Sequence, residues 1–305
     1  MKLFFGLFIS ASAFKIDAGS QNNHLVGSDG NAIDSSLKKH AKVQMLAQTS
    51  ASSLREVYHN QTLNLPSVNH GNSIYSSDVW VGNPPQKLRA MFDTGSANTW
   101  ILSSKVNFNN NNHFSYNESK SSSAKFSDQK ATIHFGTGSL EGHFMTDDIR
   151  LGFAGSSDRD GPGSILVKNY KFGLVEAQKD IFNIFEFDAI IGLAYSKIAQ
   201  KNVVPLFDQI MSQNLLQYNL FAFYMTSLED QKKGFNSEFS MGFYDKTKFK
   251  GDLNWYPIVK QDMFEIEFDD ILIGGKSYGM CKQPGQKCLL ALDSGTTYMS
   301  VPNFA

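Results

Sequence analysis

Cysteine is nearly absent from this chain of 305 residues, which holds only Cys281 and Cys288. Two thiols cannot complete a tetrahedral zinc site, and no pair of histidines lies near them in sequence. An excess of charge is also missing. With 28 Lys and Arg against 29 Asp and Glu, the net charge is −1. The chain therefore lacks the electrostatic footprint of a nucleic-acid binder or of a protein held on an anionic membrane. Charged residues make up 19%, below the usual quarter. Long apolar runs are absent too. A membrane-spanning helix needs about 20 apolar residues, and no segment approaches that.

A short apolar stretch does stand at the N-terminus. Lys2 precedes apolar residues 3 to 9, and Ala11-Ser12-Ala13 follows as a small-residue cleavage site. This predicts an export signal over residues 1–13 and a destination in the secretory pathway, extracellular or lysosomal/vacuolar. The alternative is a buried N-terminal strand or helix. In an oxidising compartment the two nearby cysteines favour one local disulfide, the alternative being two free thiols. Asn60-Gln61-Thr62 and Asn117-Glu118-Ser119 match the glycosylation acceptor pattern, a weak corroboration of export because such triplets arise by chance.

Residues 14–66 are polar and rich in Ser and Asn, with a basic cluster at Lys38, Lys39, His40 and Lys42. Residues 37 to 58 could form a helix. The stretch reads as a linker or as a separable pro-segment. From about residue 73 the texture changes. Short β-branched and aromatic runs alternate with Gly, Asn, Asp and Pro clusters, as in Asp78-Val79-Trp80-Val81, Ala131-Thr132-Ile133-His134-Phe135, Asn254-Trp255-Tyr256-Pro257-Ile258 and Phe264-Glu265-Ile266-Glu267-Phe268. Many short strands with turns between them predict an all-β architecture. One helix is expected over residues 204 to 213, with Leu206, Phe207 and Ile210 at helical spacing. The 41% hydrophobic content and 25 Phe can fill a large core. Residues 107–112 and 155–163 read as loops.

Two segments carry the chemistry. Asp93-Thr94-Gly95-Ser96 follows Met91-Phe92, and Asp293-Ser294-Gly295-Thr296 follows Leu290-Ala291-Leu292. Each reads as a buried strand ending in a tight turn with a carboxylate at its tip. One such triplet is weak evidence, since most are plain turns. Two, each after a buried-strand signature, suggest two lobes of similar construction with facing acids. Paired carboxylates that share a proton can take a proton from water and donate one to a carbonyl oxygen. Gly95 and Gly295 permit tight turns and close approach. Ser96 and Thr296 could bond the outer carboxylate oxygens, and Thr94 and Ser294 could brace the two loops. A carbohydrate-cleaving pair of acids would not explain why both sit in the same Ser/Thr-Gly turn.

At these residues the sequence resembles the pepsin-like aspartic proteases, over about residues 73 to 305. Val81-Gly82-Asn83-Pro84-Pro85-Gln86 is similar to the turn before the family's first active-site strand. Asp93-Thr94-Gly95-Ser96-Ala97-Asn98-Thr99-Trp100 and Asp293-Ser294-Gly295-Thr296-Thr297 match its two active-site motifs. Phe187-Asp188-Ala189-Ile190-Ile191-Gly192-Leu193-Ala194-Tyr195 resembles the segment that threads behind the first Asp loop, and Gly251-Asp252-Leu253-Asn254-Trp255 an early second-lobe strand. Cys288 lies where the family has the end of a small disulfide loop.

The resemblance implies a two-lobed β-barrel fold, with residues 67–235 as the N-terminal lobe and 236–305 as part of the C-terminal lobe. It implies catalytic Asp93 and Asp293, no cofactor, and endopeptidase activity on polypeptides in acid. Residues 14–66 become a propeptide and intramolecular inhibitor, from which a Lys of the basic cluster could reach the acids at neutral pH. A monomer is expected, with neither nucleic acid nor membrane as partner. Ile133-His134-Phe135-Gly136-Thr137-Gly138-Ser139 resembles the flap that closes over substrate, so Phe135, Gly136, Thr137 and Gly138 are expected to contact it.

The chain also departs from the pattern. The family has Tyr where this chain has Phe135, and that hydroxyl would bond toward the indole of Trp100. Phe135 predicts a looser flap and lower efficiency. The family's disulfide after the first motif is missing. The sequence ends at Ala305 soon after the second motif, so the expectation is a fragment or a truncated product, with an incomplete second lobe and a sheet edge left open. The alternative function is a weakened or inactive peptide-binding protein on the same scaffold.

Overall fold

The computed structural model describes residues 4–9, 14–17, 62–106, 112–135, 138–152, 163–178, 186–216, 218–277, 279, 281 and 287–300. The basic cluster, the expected helix over residues 37 to 58 and the loop expected at 155–163 thus fall outside the described residues or at their margin, as does most of the 107–112 loop.

The described chain is built from strands, as the sequence predicts. β1 (Phe4–Ile9), within the stretch read as an export signal, and β2 (Phe14–Asp17) come first. β3 (Leu63–His70), β4 (Ile74–Val81), β5 (Gln86–Asp93) and β6 (Thr99–Leu102) follow. Then come the long strands β7 (Lys125–Phe135), β8 (Gly138–Leu151) and β9 (Ile165–Gln178), and the short β10 (Ala189–Gly192). After helix α1 (Leu206–Ser212) come β11 (Leu220–Met225), helix α2 (Leu228–Lys232) and β12 (Ser237–Met241). The last part holds β13 (Lys260–Gln261), β14 (Phe264–Phe268), β15 (Asp270–Ile273), β16 (Lys276–Ser277) and β17 (Cys288–Ala291).

Eleven strands form one sheet in the order β1-β11-β12-β3-β4-β5-β10-β6-β9-β8-β7. At its centre β10 runs parallel to β5 and antiparallel to β6, with Ile191 opposite Phe92 and Gly192 opposite Asp93. All four β10 residues are buried, which is why Ala-Ile-Ile-Gly is a continuous apolar run and not an alternating one. β12 pairs with both β3 and β11, so residues 237–241 lie in the same sheet as the strand that leads to Asp93. β3 includes Pro66, opposite Glu238.

The phenylalanines account for much of the core. Phe92 stacks on Phe239 with ring centroids 4.2 Å apart. Phe221 packs edge-on against Phe207 and against Phe264. Phe264 belongs to the β13–β14 hairpin, yet it is buried in the same core as Phe92, Phe221 and Phe239, so it fastens the last part of the chain to the large sheet. Each buried Phe of this size contributes about 1.5–3 kcal/mol from burial. α1 presents buried Leu206, Phe207 and Ile210 to that core, as its spacing predicts.

One predicted strand does not form. Residues 254–258 have no ladder partner, and Trp255 and Tyr256 are 42% and 49% exposed. Propensity alone does not make a strand without a neighbouring edge to pair with, and Pro257 removes a donor. β14 departs from strict alternation because Glu265 is buried. Its carboxylate is held by Lys260 at 2.9 Å. Among the described residues no helix is long and apolar enough to cross a membrane.

Candidate active site

β5 and β17 lead into two matching turns. Gly95 N donates to Asp93 Oδ1 at 2.8 Å, and Gly295 N to Asp293 Oδ1 at 2.8 Å. Ser96 Oγ donates to Asp93 Oδ2, and Thr296 Oγ1 to Asp293 Oδ2 at 2.6 Å. Each carboxylate thus accepts one backbone and one hydroxyl hydrogen from its own turn, an arrangement that fixes its orientation.

The turns also cross. Thr94 N donates to Ser294 Oγ at 3.0 Å, and Ser294 N to Thr94 Oγ1 at 2.9 Å. In the same reciprocal fashion Thr94 Oγ1 donates to Leu292 O at 2.8 Å and Ser294 Oγ to Phe92 O at 2.7 Å. These four bonds relate segments 200 residues apart by an approximate two-fold. A Cβ on Gly95 would overlap the Asp293 carboxylate, and one on Gly295 would overlap that of Asp93. Only glycine lets each loop lie against the opposite acid.

The two acids differ in environment. Asp93 is 8% exposed, whereas Asp293 is half-buried and Thr296 exposed. Burial, followed by the neighbouring Asp293 charge, pushes the Asp93 carboxyl up to about 7, against the opposing bonds from Ser96 and Gly95. Both causes disfavour the charged form.

The Asp93 loop is backed by the residues after β10. Leu193 N donates to Asp93 O at 2.8 Å, Ala194 N to Ser96 O at 2.9 Å and Gly192 N to Asn98 O at 3.2 Å. A Cβ on Gly192 would strike the backbone of Ala97 and Asn98. The Asp293 loop is tied back by Leu292 N to Phe264 O at 3.1 Å and by Thr297 Oγ1 to Ser73 O at 3.1 Å.

Sequence reasoning missed several supports. Asp188, fully buried, accepts from Arg89 N at 2.8 Å, from Arg89 Nε and Nη2 at 3.0 Å, and from His113 Nδ1 and Phe114 N at 3.0 Å. It joins β5 to the head of β10. The available signals were an Asp at the mouth of an all-apolar run and an Arg next to the buried end of β5. Asn98 Oδ1 accepts from Gln200 N at 2.7 Å, which no local pattern announced.

The expected flap lies where β7 turns into β8, with Phe135 opposite Gly138 in the ladder. Gly136 and Thr137 fall outside the described residues. Trp100 is fully buried, and its Nε1 has no hydrogen-bond acceptor among the described residues. Cys281 and Cys288 are joined in a disulfide with a Cα–Cα distance of 5.6 Å. Among the described residues no group of three His, Cys, Asp or Glu is gathered that could hold a metal ion.

Comparison with known proteins adds an independent line. A family model described as eukaryotic aspartyl protease matches residues 74–305. Cyprosin of Cynara cardunculus is 32% identical over 237 residues, covering 76% of this chain and 46% of that protein. Phytepsin of Hordeum vulgare is 31% identical over 239 residues, 77% of this chain and 44% of that protein. Cathepsin D of Homo sapiens is 30% identical over 238 residues, 77% of this chain and 56% of that protein. The chain spans about half the length of these curated relatives.

Proposed function

The chain belongs to the eukaryotic aspartyl protease family, and from that premise we propose that it is an aspartic endopeptidase cutting polypeptides in acid through Asp93, Asp293 and one shared water. The observation that carries this reading is the reciprocal bonding of the two turns, which brings a buried carboxyl with a raised pKa against a second carboxylate. A shift of this sign is established for aspartic protease dyads in general.

In the proposed step the pair holds one proton. The ionised carboxylate removes a proton from water as the water oxygen bonds to the scissile carbonyl carbon, and the protonated carboxyl donates to the carbonyl oxygen; the C–N bond then breaks as the leaving nitrogen takes a proton from the pair. The pair titrates as a unit, so neither residue is assigned a fixed role. The Ser96 and Thr296 hydroxyls hold the outer oxygens, and the Thr94–Ser294 bonds keep the carboxyls in register. Phe135, Gly136, Thr137 and Gly138 are proposed to close over the substrate. We further propose export through residues 1–13, a zymogen inhibited by residues 14–66, a first lobe over 67–235 and part of a second over 236–305.

The test is an acid-pH assay on an unfolded protein substrate, with and without a transition-state-like aspartic protease inhibitor. Asp93→Asn and Asp293→Asn must each abolish the inhibitable activity; activity that survives either change would refute the dyad. A second reading, peptide binding with weak or no turnover, is favoured by a Trp100 Nε1 that has no acceptor among the described residues, together with the lack of a hydroxyl on Phe135. Inhibitor binding without turnover would select it.

A further inference from the structure

We propose that Asn117 is a site of N-linked glycosylation; the proposal rests on the export reading above. Asn117-Glu118-Ser119 opens the short 3-10 turn Glu118–Lys120, on the connection between β6 and β7. Asn117 Oδ1 accepts from Ser119 N at 3.1 Å and from Ser119 Oγ at 2.6 Å. The hydroxyl that the acceptor pattern requires is therefore already on the side-chain amide of the asparagine. Among the described residues Nδ2 makes no hydrogen bond, so a sugar on that nitrogen breaks none.

The surroundings suit a bulky substituent. Asn117 N donates to Gln86 Oε1 at 2.8 Å, and Gln86 Nε2 donates to Asn117 O at 2.9 Å. The backbone is pinned from β5 while the side chain stays half-buried at the surface. Glu118 turns back to Lys105 at 2.6 Å, and Ser119 and Lys120 face solvent. Because the glycan would be added to the unfolded chain, the folded structure need only tolerate it. Simple capping of the turn by Asn117 explains the Oδ1 bonds but would be served equally by Asp or Ser, neither of which offers Nδ2.

In the transfer, Asn117 Nδ2 attacks the anomeric carbon of an oligosaccharide carried on a lipid diphosphate. The N–C bond forms, the C–O bond to the diphosphate breaks, the lipid diphosphate leaves, and one Nδ2 proton passes to solvent. No oxidation or reduction occurs.

The experiment translates the full chain in the presence of endoplasmic-reticulum microsomes and examines the protease-protected fraction. The expected result is a mass increase removed by peptide N-glycosidase, which converts Asn117 to Asp at the mapped peptide. Ser119→Ala should abolish modification at 117, Ser119→Thr should retain it, and Asn60→Gln should leave it unchanged. A protected chain with Asn117 unmodified overturns the proposal. An unprotected chain refutes the export reading instead. A cleavable signal sequence added to the same chain then delivers it to the lumen, where modified Asn117 supports the site and unmodified Asn117 overturns it.

Discussion

Replacing Thr94 by Val keeps the shape of a fully buried side chain and removes its hydroxyl. That hydroxyl donates to Leu292 O at 2.8 Å and accepts from Ser294 N at 2.9 Å. Each bond contributes about 1 kcal/mol net, and a partner left unsatisfied in a buried setting costs about 1–3 kcal/mol. Ser294 N and Leu292 O are only partly shielded, so the sum comes to roughly 2–4 kcal/mol. At about 2–4 °C per kcal/mol for a large domain, the thermal midpoint should fall by roughly 4–16 °C. The kinetic effect should be larger in proportion. A displacement of about 1 Å in a reacting group costs on the order of 100-fold, and these bonds hold the two carboxyls in register. Urea unfolding and kcat/KM at acid pH measure both quantities. Ser294→Ala completes a double-mutant cycle, with a coupling of about 0.5–3 kcal/mol expected between directly bonded residues. Loss of less than about 0.5 kcal/mol with kcat/KM unchanged would refute the reasoning, because the crossed bonds would then be geometry without consequence.

The titration of Asp93 gives a second test. Its folded pKa is raised to about 7, so between about pH 4 and 7 the folded chain holds a proton that the unfolded chain releases. Its contribution to stability is fully present below about pH 4 and is lost as pH rises through 7. Asp93→Asn should therefore raise the unfolding free energy at pH 7.5 relative to the parent, by up to about a few kcal/mol, with the gain shrinking toward pH 4; an equal difference at both pH values in urea unfolding refutes this. For Phe135→Tyr, a hydroxyl that reaches the Trp100 indole should raise kcat/KM roughly 2- to 10-fold, the equivalent of one hydrogen bond, and steady-state kinetics showing no change would remove the flap argument. Asp188→Asn strips the charge from a fully buried carboxylate bound to Arg89. Breaking such a pair costs about 3–5 kcal/mol, measurable by urea unfolding, and a loss below about 1 kcal/mol would mean that Arg89 finds solvent instead.

The legible features were local. Leu206, Phe207 and Ile210 announced α1 because a helix repeats its contacts every three or four residues. Cys281 and Cys288 lie seven apart in sequence, close enough for pairing to be expected from spacing and compartment. Residues 254–258 misled for a related reason: their β-branched and aromatic content suits a strand, but a strand also needs a free edge beside it. The Arg89–Asp188 clamp was hidden because its partners are 99 residues apart, and no periodicity connects residues at that distance.

By itself, then, the sequence determined where each Asp turn lies, what precedes it, and which small and hydroxyl residues accompany it, since these depend only on neighbours along the chain. Tertiary structure alone decided that Thr94 and Ser294 exchange hydrogen bonds, that Gly95 and Gly295 each face the other loop's acid, and that Asp93 is the more deeply buried of the two. Those outcomes depend on β10 threading behind one loop and Phe264 anchoring the hairpin beside the other. Burial and electrostatic coupling arise from atoms distant in sequence, which only the packed chain brings together.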